Sequence, residues 1–162
     1  MNNTAKAQNC IIEVIRKSRV RNSAVPGEIL LVVNQYKNAW DTEKLVAIDI
    51  AGNEKVTTMK CIQFVDVDNY DEIFDIENAL RLWVAKSHLP IIFKPISRFT
   101  RSGKAIKCKV MNVIDDVWVA VGLVRQESGD RFNDYNKGKY TNAFIPFWYA
   151  QKIGLISTRA KR

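Results

Sequence analysis

The sequence predicts an α+β protein, mainly β: a small barrel in the N-terminal half, a linking helix, and a second β-rich domain with a short C-terminal helix. Three observations predict it. The stretch Val25 to Val65 strings short β-branched and aliphatic runs between Gly/Asn turns, the pattern of a small closed or nearly closed barrel. Ile73, Ile76, Leu80, Trp83 and Val84 then recur at helical spacing. Strand-like alternation returns after them, and Pro146 and Gly154 bracket one last helical segment. The expected domains are residues 1–65 (barrel with a basic N-terminal arm), 66–90 (acidic connector and amphipathic helix) and 91–162 (basic β-rich domain).

Taken in order, Cys10 to Ile15 alternates and reads as a first strand, followed by the basic arm Arg16-Lys17-Ser18-Arg19-Val20-Arg21. Val25-Pro26-Gly27 enters a turn, Ile29 to Val33 is a strand, and Asn34 to Thr42 is a polar loop carrying Tyr36 and Trp40. Leu45 to Ile50 is a second strand, and the tight turn Ala51-Gly52-Asn53-Glu54 leads into a third, Lys55 to Val65. Asp66 to Glu72 is acidic, but a calcium loop there would put Asp71 where glycine is needed for the sharp turn. A helix start is the better account, with acids in the first turn, Lys86 and His88 near the end, and Pro90 as the stop.

Leu89 to Ile96, with two prolines, is expected at a sheet edge or a domain boundary. Lys104 to Val110 is a strand with Lys107 and Lys109 on one face and Ile106, Cys108 and Val110 on the other. Val113 to Val121 completes a hairpin around Asp115-Asp116. Ser128 to Gly138 reads as a long, mobile polar loop, and Ile145 to Gly154 as a short helix. A strand–loop–Trp–strand echo around Trp40 and Trp118 leaves three arrangements open: two related barrels, one α+β body, or two unrelated small domains.

Charge narrows the function. The 162 residues carry a net charge of +8 and a pI near 9.5, which favours polyanionic partners. The excess is patterned: residues 66–85 sum to −5, whereas residues 86–112 hold seven bases and no acid. Cys10, Cys61 and Cys108 lie far apart beside aliphatic residues, as buried, reduced thiols do. Met1 to Gln8 lacks the apolar core of a signal peptide, and the longest aliphatic run, Ile29 to Val33, is too short to span a bilayer. A cytoplasmic protein without a membrane partner is expected.

Catalytic templates are mostly excluded by counting. His88 is the single histidine, so neither a histidine triad nor a multi-histidine metal site is available. No glycine-rich phosphate loop occurs, and the paired acids Asp71-Glu72 and Asp115-Asp116 sit in a helix start and a turn. No enzymatic activity, cofactor or metal is expected. Nucleic-acid binding has the better case. The candidate contacts are Lys94, Arg98, Arg101, Lys104, Lys107 and Lys109, with Arg16, Lys17, Arg19 and Arg21 as a second arm. Phe93 and Phe99 interleave with the first set as stacking residues would. Phenylalanine in a strand is more often core, so duplex DNA held by its phosphates is the expectation.

The residues Val25-Pro26-Gly27-Glu28-Ile29-Leu30-Leu31-Val32, followed by strands and the Gly52 turn, resemble the KOW/Tudor-like branch of SH3-type barrels. That branch binds nucleic acid, polymerases or ribosomal partners; where it carries a central glycine this chain has Asn38-Ala39-Trp40. In length, basicity and barrel the whole chain is similar to the MotB-type DNA-binding transcription modifiers of T-even phages. The resemblance implies a phage early protein that binds double-stranded DNA with little sequence preference. It also implies compaction of the nucleoid and interplay with a host nucleoid protein of H-NS type. Two alternatives stay open: a protein-interaction module or inhibitor docking on an acidic host protein, and an RNA-binding barrel.

Overall fold

The computed structural model describes residues 10–18, 24–37, 39–65 and 74–156. The chain divides into two compact units, Met1–Trp83 and Val84–Arg162. Each is built on one antiparallel sheet, so the fold is α+β and mainly β.

The first unit holds β1 (Ile11–Val14), β2 (Ile29–Lys37), β3 (Glu43–Ile48), β4 (Glu54–Thr57) and β5 (Ile62–Phe64), in the order β4-β3-β2-β1-β5. A 3₁₀ turn at Met59–Cys61 precedes the last strand. Alternation builds the core: Ile12 and Val14, Leu30 and Val32, and Leu45 and Ala47 point inward together with Ala24 and Ile62. A register shift between Val32 and Asn34 bends β2. The bend lets β4 meet the segment preceding β2, where Ala24 N–H donates to Val56 C=O (3.4 Å) and Lys55 lies 3.9 Å from Glu28. Two expectations are corrected here. The polar stretch after Val33 stays in the ladder through Lys37, because Asn34 to Lys37 pair with Val46 to Glu43. The single strand Lys55 to Val65 is broken by the 3₁₀ turn, where the chain crosses from one sheet edge to the other.

Helix α1 (Ile76–Ser87) begins after the acidic stretch expected as its start, which lies outside the described residues, and it ends before His88 and Pro90, which open a strand instead of closing the helix. Asp75 accepts from Asn78 N–H through its carboxylate (3.2 Å) and from Ala79 N–H through its carbonyl (3.0 Å). Ala79 and Trp83 are buried, and the Trp83 indole N–H donates to the Glu54 carboxylate at 2.8 Å. The helix therefore docks on the β3–β4 turn. Asp49 shapes that turn by accepting from the N–H groups of Ala51 (3.0 Å) and Asn53 (2.9 Å). Gly52 sits in it at φ +83, so close to the helix that a Cβ would stand 2.5 Å from Trp83 N and 2.8 Å from Leu82 C. The acidic stretch Asp66 to Glu72, and with it the calcium reading, lies outside the described residues.

In the second unit β6 (His88–Phe99), β7 (Ala105–Val110), β8 (Val117–Ala120) and β9 (Thr141–Pro146) run in the order β8-β7-β6-β9. Ile91, Phe93, Ile106, Cys108, Val110, Val119, Ala143 and Ile145 face a core closed by Tyr149 and Ala150 of α2 (Phe147–Lys152). The proline-bearing segment is thus a central strand and not an edge. Its prolines are tolerated because β9 pairs with His88 to Phe93 while β7 pairs from Phe93 onward. Pro90 and Pro95 each have one flank without a ladder, and that flank takes the missing N–H. The predicted C-terminal helix starts two residues later than expected, at Phe147, because Thr141 to Pro146 form a strand paired with β6. Its end is as predicted, with Gly154 at φ +83 and Leu155 N–H bonded to Ala150 C=O at 2.8 Å.

The stretch expected as a mobile polar loop is anchored. Phe132 and Tyr135 stack edge-on (5.1 Å) and reach Phe93 (5.4 Å from Phe132), while Arg125 pairs with Phe144 through both backbone bonds. Both sheet edges are occupied as a result. Arg125 covers β9, and on β8 the Tyr149 hydroxyl accepts from Ala120 N–H (2.8 Å) and donates to Trp118 C=O (3.1 Å).

His88, at the junction of α1 and β6, is buried, and burial together with the Arg125 charge lowers its pKa from 6.5 to about 4. Above pH 6.5 the ring is neutral folded or unfolded and contributes no pH dependence. Below it the unfolded chain takes a proton that the folded chain refuses, so stability falls until about pH 4. Urea denaturation should show the wild type losing about 2–3 kcal/mol more than His88→Gln between pH 7 and pH 4.5. Equal losses would show that the ring is not held neutral.

Candidate nucleic-acid interface

The β6–β7 hairpin gathers six of the predicted cations. Lys94 stands directly opposite Lys109, between the pairs Phe93–Val110 and Pro95–Cys108. Phe93, Cys108 and Val110 are buried, so Lys94 and Lys109 project from the other face, as Lys107 does by the same alternation. The register then slips before Phe99 meets Ile106. The Ser97 hydroxyl steadies that bulge by accepting from Lys107 N–H (3.0 Å) and donating to Arg98 C=O (2.9 Å). Thr100 closes the turn: its N–H donates to Ala105 C=O (2.8 Å), its C=O accepts from Gly103 N–H (2.8 Å), and its hydroxyl accepts from Ala105 N–H (3.2 Å). Arg98, Arg101 and Lys104 are exposed around this closed turn. The cations are therefore displayed on a rigid ladder rather than on a free loop.

Like charges placed directly across an antiparallel pair repel, and Lys94 and Lys109 are held in that relation. Each has one moderating neighbour. Lys109 lies 4.0 Å from Asp116 on the β7–β8 turn, and the Lys94 ammonium lies 5.0 Å from the centre of the Tyr140 ring.

Arg16 and Lys17, exposed after β1, belong to the first unit, and Arg19 and Arg21 lie outside the described residues. Phe93 is fully buried, and Phe99, though exposed, stands opposite the buried Ile106 and leans edge-on against Tyr135 (5.5 Å), so both belong to the face away from the lysines. Sequence reasoning missed the aromatics that flank the lysines there, Trp118 opposite Lys107 and Tyr140 beside Lys94. The signal for Trp118 was present: if Val117 and Val119 point inward, the residue between them points out. Lys137 and Lys139 were also missed. The bond from Gly138 N–H to Pro95 C=O (2.9 Å) draws their turn alongside β6, and Lys139 lies 3.9 Å from Asp134.

The chemistry available elsewhere is sparse. Burial pushes the Cys108 thiol up to about 12, so it stays protonated. A depression of about 270 Å³ in the second unit is lined by Leu89, Pro90, Ile92, Met111, Asn112 and Leu155 among others, with no titratable side chain. Among the described residues no three His, Cys, Asp or Glu side chains gather as a metal site, and no helix is long and apolar enough to cross a membrane.

No family model, curated protein or solved structure matches the chain.

Proposed function

We propose that the protein is a non-enzymatic DNA-binding protein that grips duplex DNA through its phosphates with little sequence preference. Coating or compacting the DNA is how it would change transcription. One observation carries the reading: Lys94, Arg98, Arg101, Lys104, Lys107 and Lys109 sit on a single hairpin, inside a stretch of sequence with no acid from residue 86 to 112. Such an array displaces condensed counterions from a sugar–phosphate backbone and reads no base edges. Membership of the MotB-type phage proteins, with a host nucleoid partner of H-NS type, is part of this proposal.

A salt titration tests it. With about five phosphate contacts, duplex affinity should fall about five hundredfold between 50 and 200 mM salt, and unrelated duplexes of equal length should bind alike. Weak salt dependence, or no duplex binding at low salt with one acidic protein retained in a pull-down, would replace this reading with the interaction-module alternative. Preference for RNA over the matched duplex would favour the RNA-binding barrel.

A further inference from the structure

Among the described residues of the second unit, the outward face of its sheet is not packed as core or edge cover. The inner face is filled by α2 and the Phe132–Tyr135 cluster, and the two edges are taken by Arg125 and Tyr149. Two side-chain rows cross the outward face. Trp118 on β8 stands opposite Lys107 on β7. In the neighbouring row Lys109 on β7 stands opposite Lys94 on β6, and Tyr140, one residue before β9, lies against Lys94. Both rings are open to solvent, Trp118 at 50% and Tyr140 at 40%. Three cations thus lie between two exposed rings, with Asp116 as the acid that pairs into the rows.

We propose that this face is a stacking surface for the unpaired bases of a single-stranded nucleic acid, an inference that rests on the assignment of the β6–β7 cations as phosphate contacts. Two facts favour unpaired bases. A duplex keeps its base faces stacked on one another, so it offers these rings nothing to stack on, whereas every unpaired base has a free π-face. The backbone that carries Trp118 is also held in place, since both the carbonyl of Trp118 and the N–H of Ala120 are bonded to the Tyr149 hydroxyl. Crossing three strand spacings and one residue pair, the rings stand about 16 Å apart, which suits a site of about four nucleotides. The phosphates between two such bases would pass over Lys107, Lys109 and Lys94, relieving the repulsion between the last two.

The test uses the full chain and fluorescence anisotropy with three probes: oligo-dT, an abasic oligonucleotide of the same length, and a duplex. Oligo-dT should bind at least tenfold more tightly than the abasic strand. Trp118→Leu with Tyr140→Leu, which keeps apolar cover on the sheet, should abolish that difference and leave duplex affinity within twofold. Equal binding of oligo-dT and the abasic strand by the wild type would overturn the proposal. So would a double variant that still prefers bases, or one that loses duplex and single-strand affinity equally with an unchanged melting temperature. Failure of the duplex reading looks different: the wild type would bind oligo-dT but no duplex, and the stacking surface would stand.

Discussion

Replacing Arg98, Arg101, Lys104 and Lys107 together by glutamine should weaken duplex binding about a thousandfold at 100 mM salt and flatten the salt dependence by about three to four units of slope. The size follows from the number of phosphates released, because each contact contributes separately to counterion displacement. The fold should survive the change. Arg98, Arg101 and Lys104 are exposed, and the hairpin is closed by Thr100 and by the backbone N–H of Lys107 on Ser97, none of which is altered. Exposed substitutions of this kind cost little stability. A folded quadruple variant that retains duplex DNA as the wild type does would end the phosphate-grip reading.

Gly52→Ala should be the most damaging small substitution in the first unit, costing about 3–5 kcal/mol. Two penalties add. The residue sits at φ +83, where an L side chain is strained, and the new methyl would meet the backbone of α1 at Trp83 N. Backbone cannot swing aside as a side-chain tip can. Relief requires the helix to lift, and lifting it breaks the indole bond to Glu54. Gly27→Ala is the matched control, at φ +96 with nothing within 4 Å, and should cost about 1 kcal/mol for strain alone. Urea denaturation of the two variants separates the contact from the conformation. Equal losses would mean that α1 does not rest on this turn.

Most strands were legible because their alternation is local. Ile12 and Val14, Leu45 and Ala47, and Ile106, Cys108 and Val110 each put one face into a core, and a period of two is written into consecutive residues. The helix was legible for the same reason, although its start at Ile76 and its Asp75 cap were not. What was misread depended on partners distant in the chain. Asn34 to Lys37 look like loop and are strand because β3 pairs with them. Ile145 and Pro146 look like the start of a helix and instead end a strand, because β6 offers an edge to Thr141 to Pro146. Phe132 and Tyr135 look like loop residues and are half-buried against Phe93, a residue far upstream.

The candidate interface divides in the same manner. Its cations could be named from composition, since a run of seven bases without an acid is visible in one dimension. By itself, then, the sequence determined the fold class, the presence of the helix, and the identity of the clustered cations, all properties carried by residues close together in the chain. Only the tertiary structure decided that Lys94 faces Lys109, that Trp118 and Tyr140 flank them, and that Gly52 lies beneath α1. Those neighbours come from strand register and docking, which are set by the global packing of hydrophobic faces and leave no mark on any single stretch of residues.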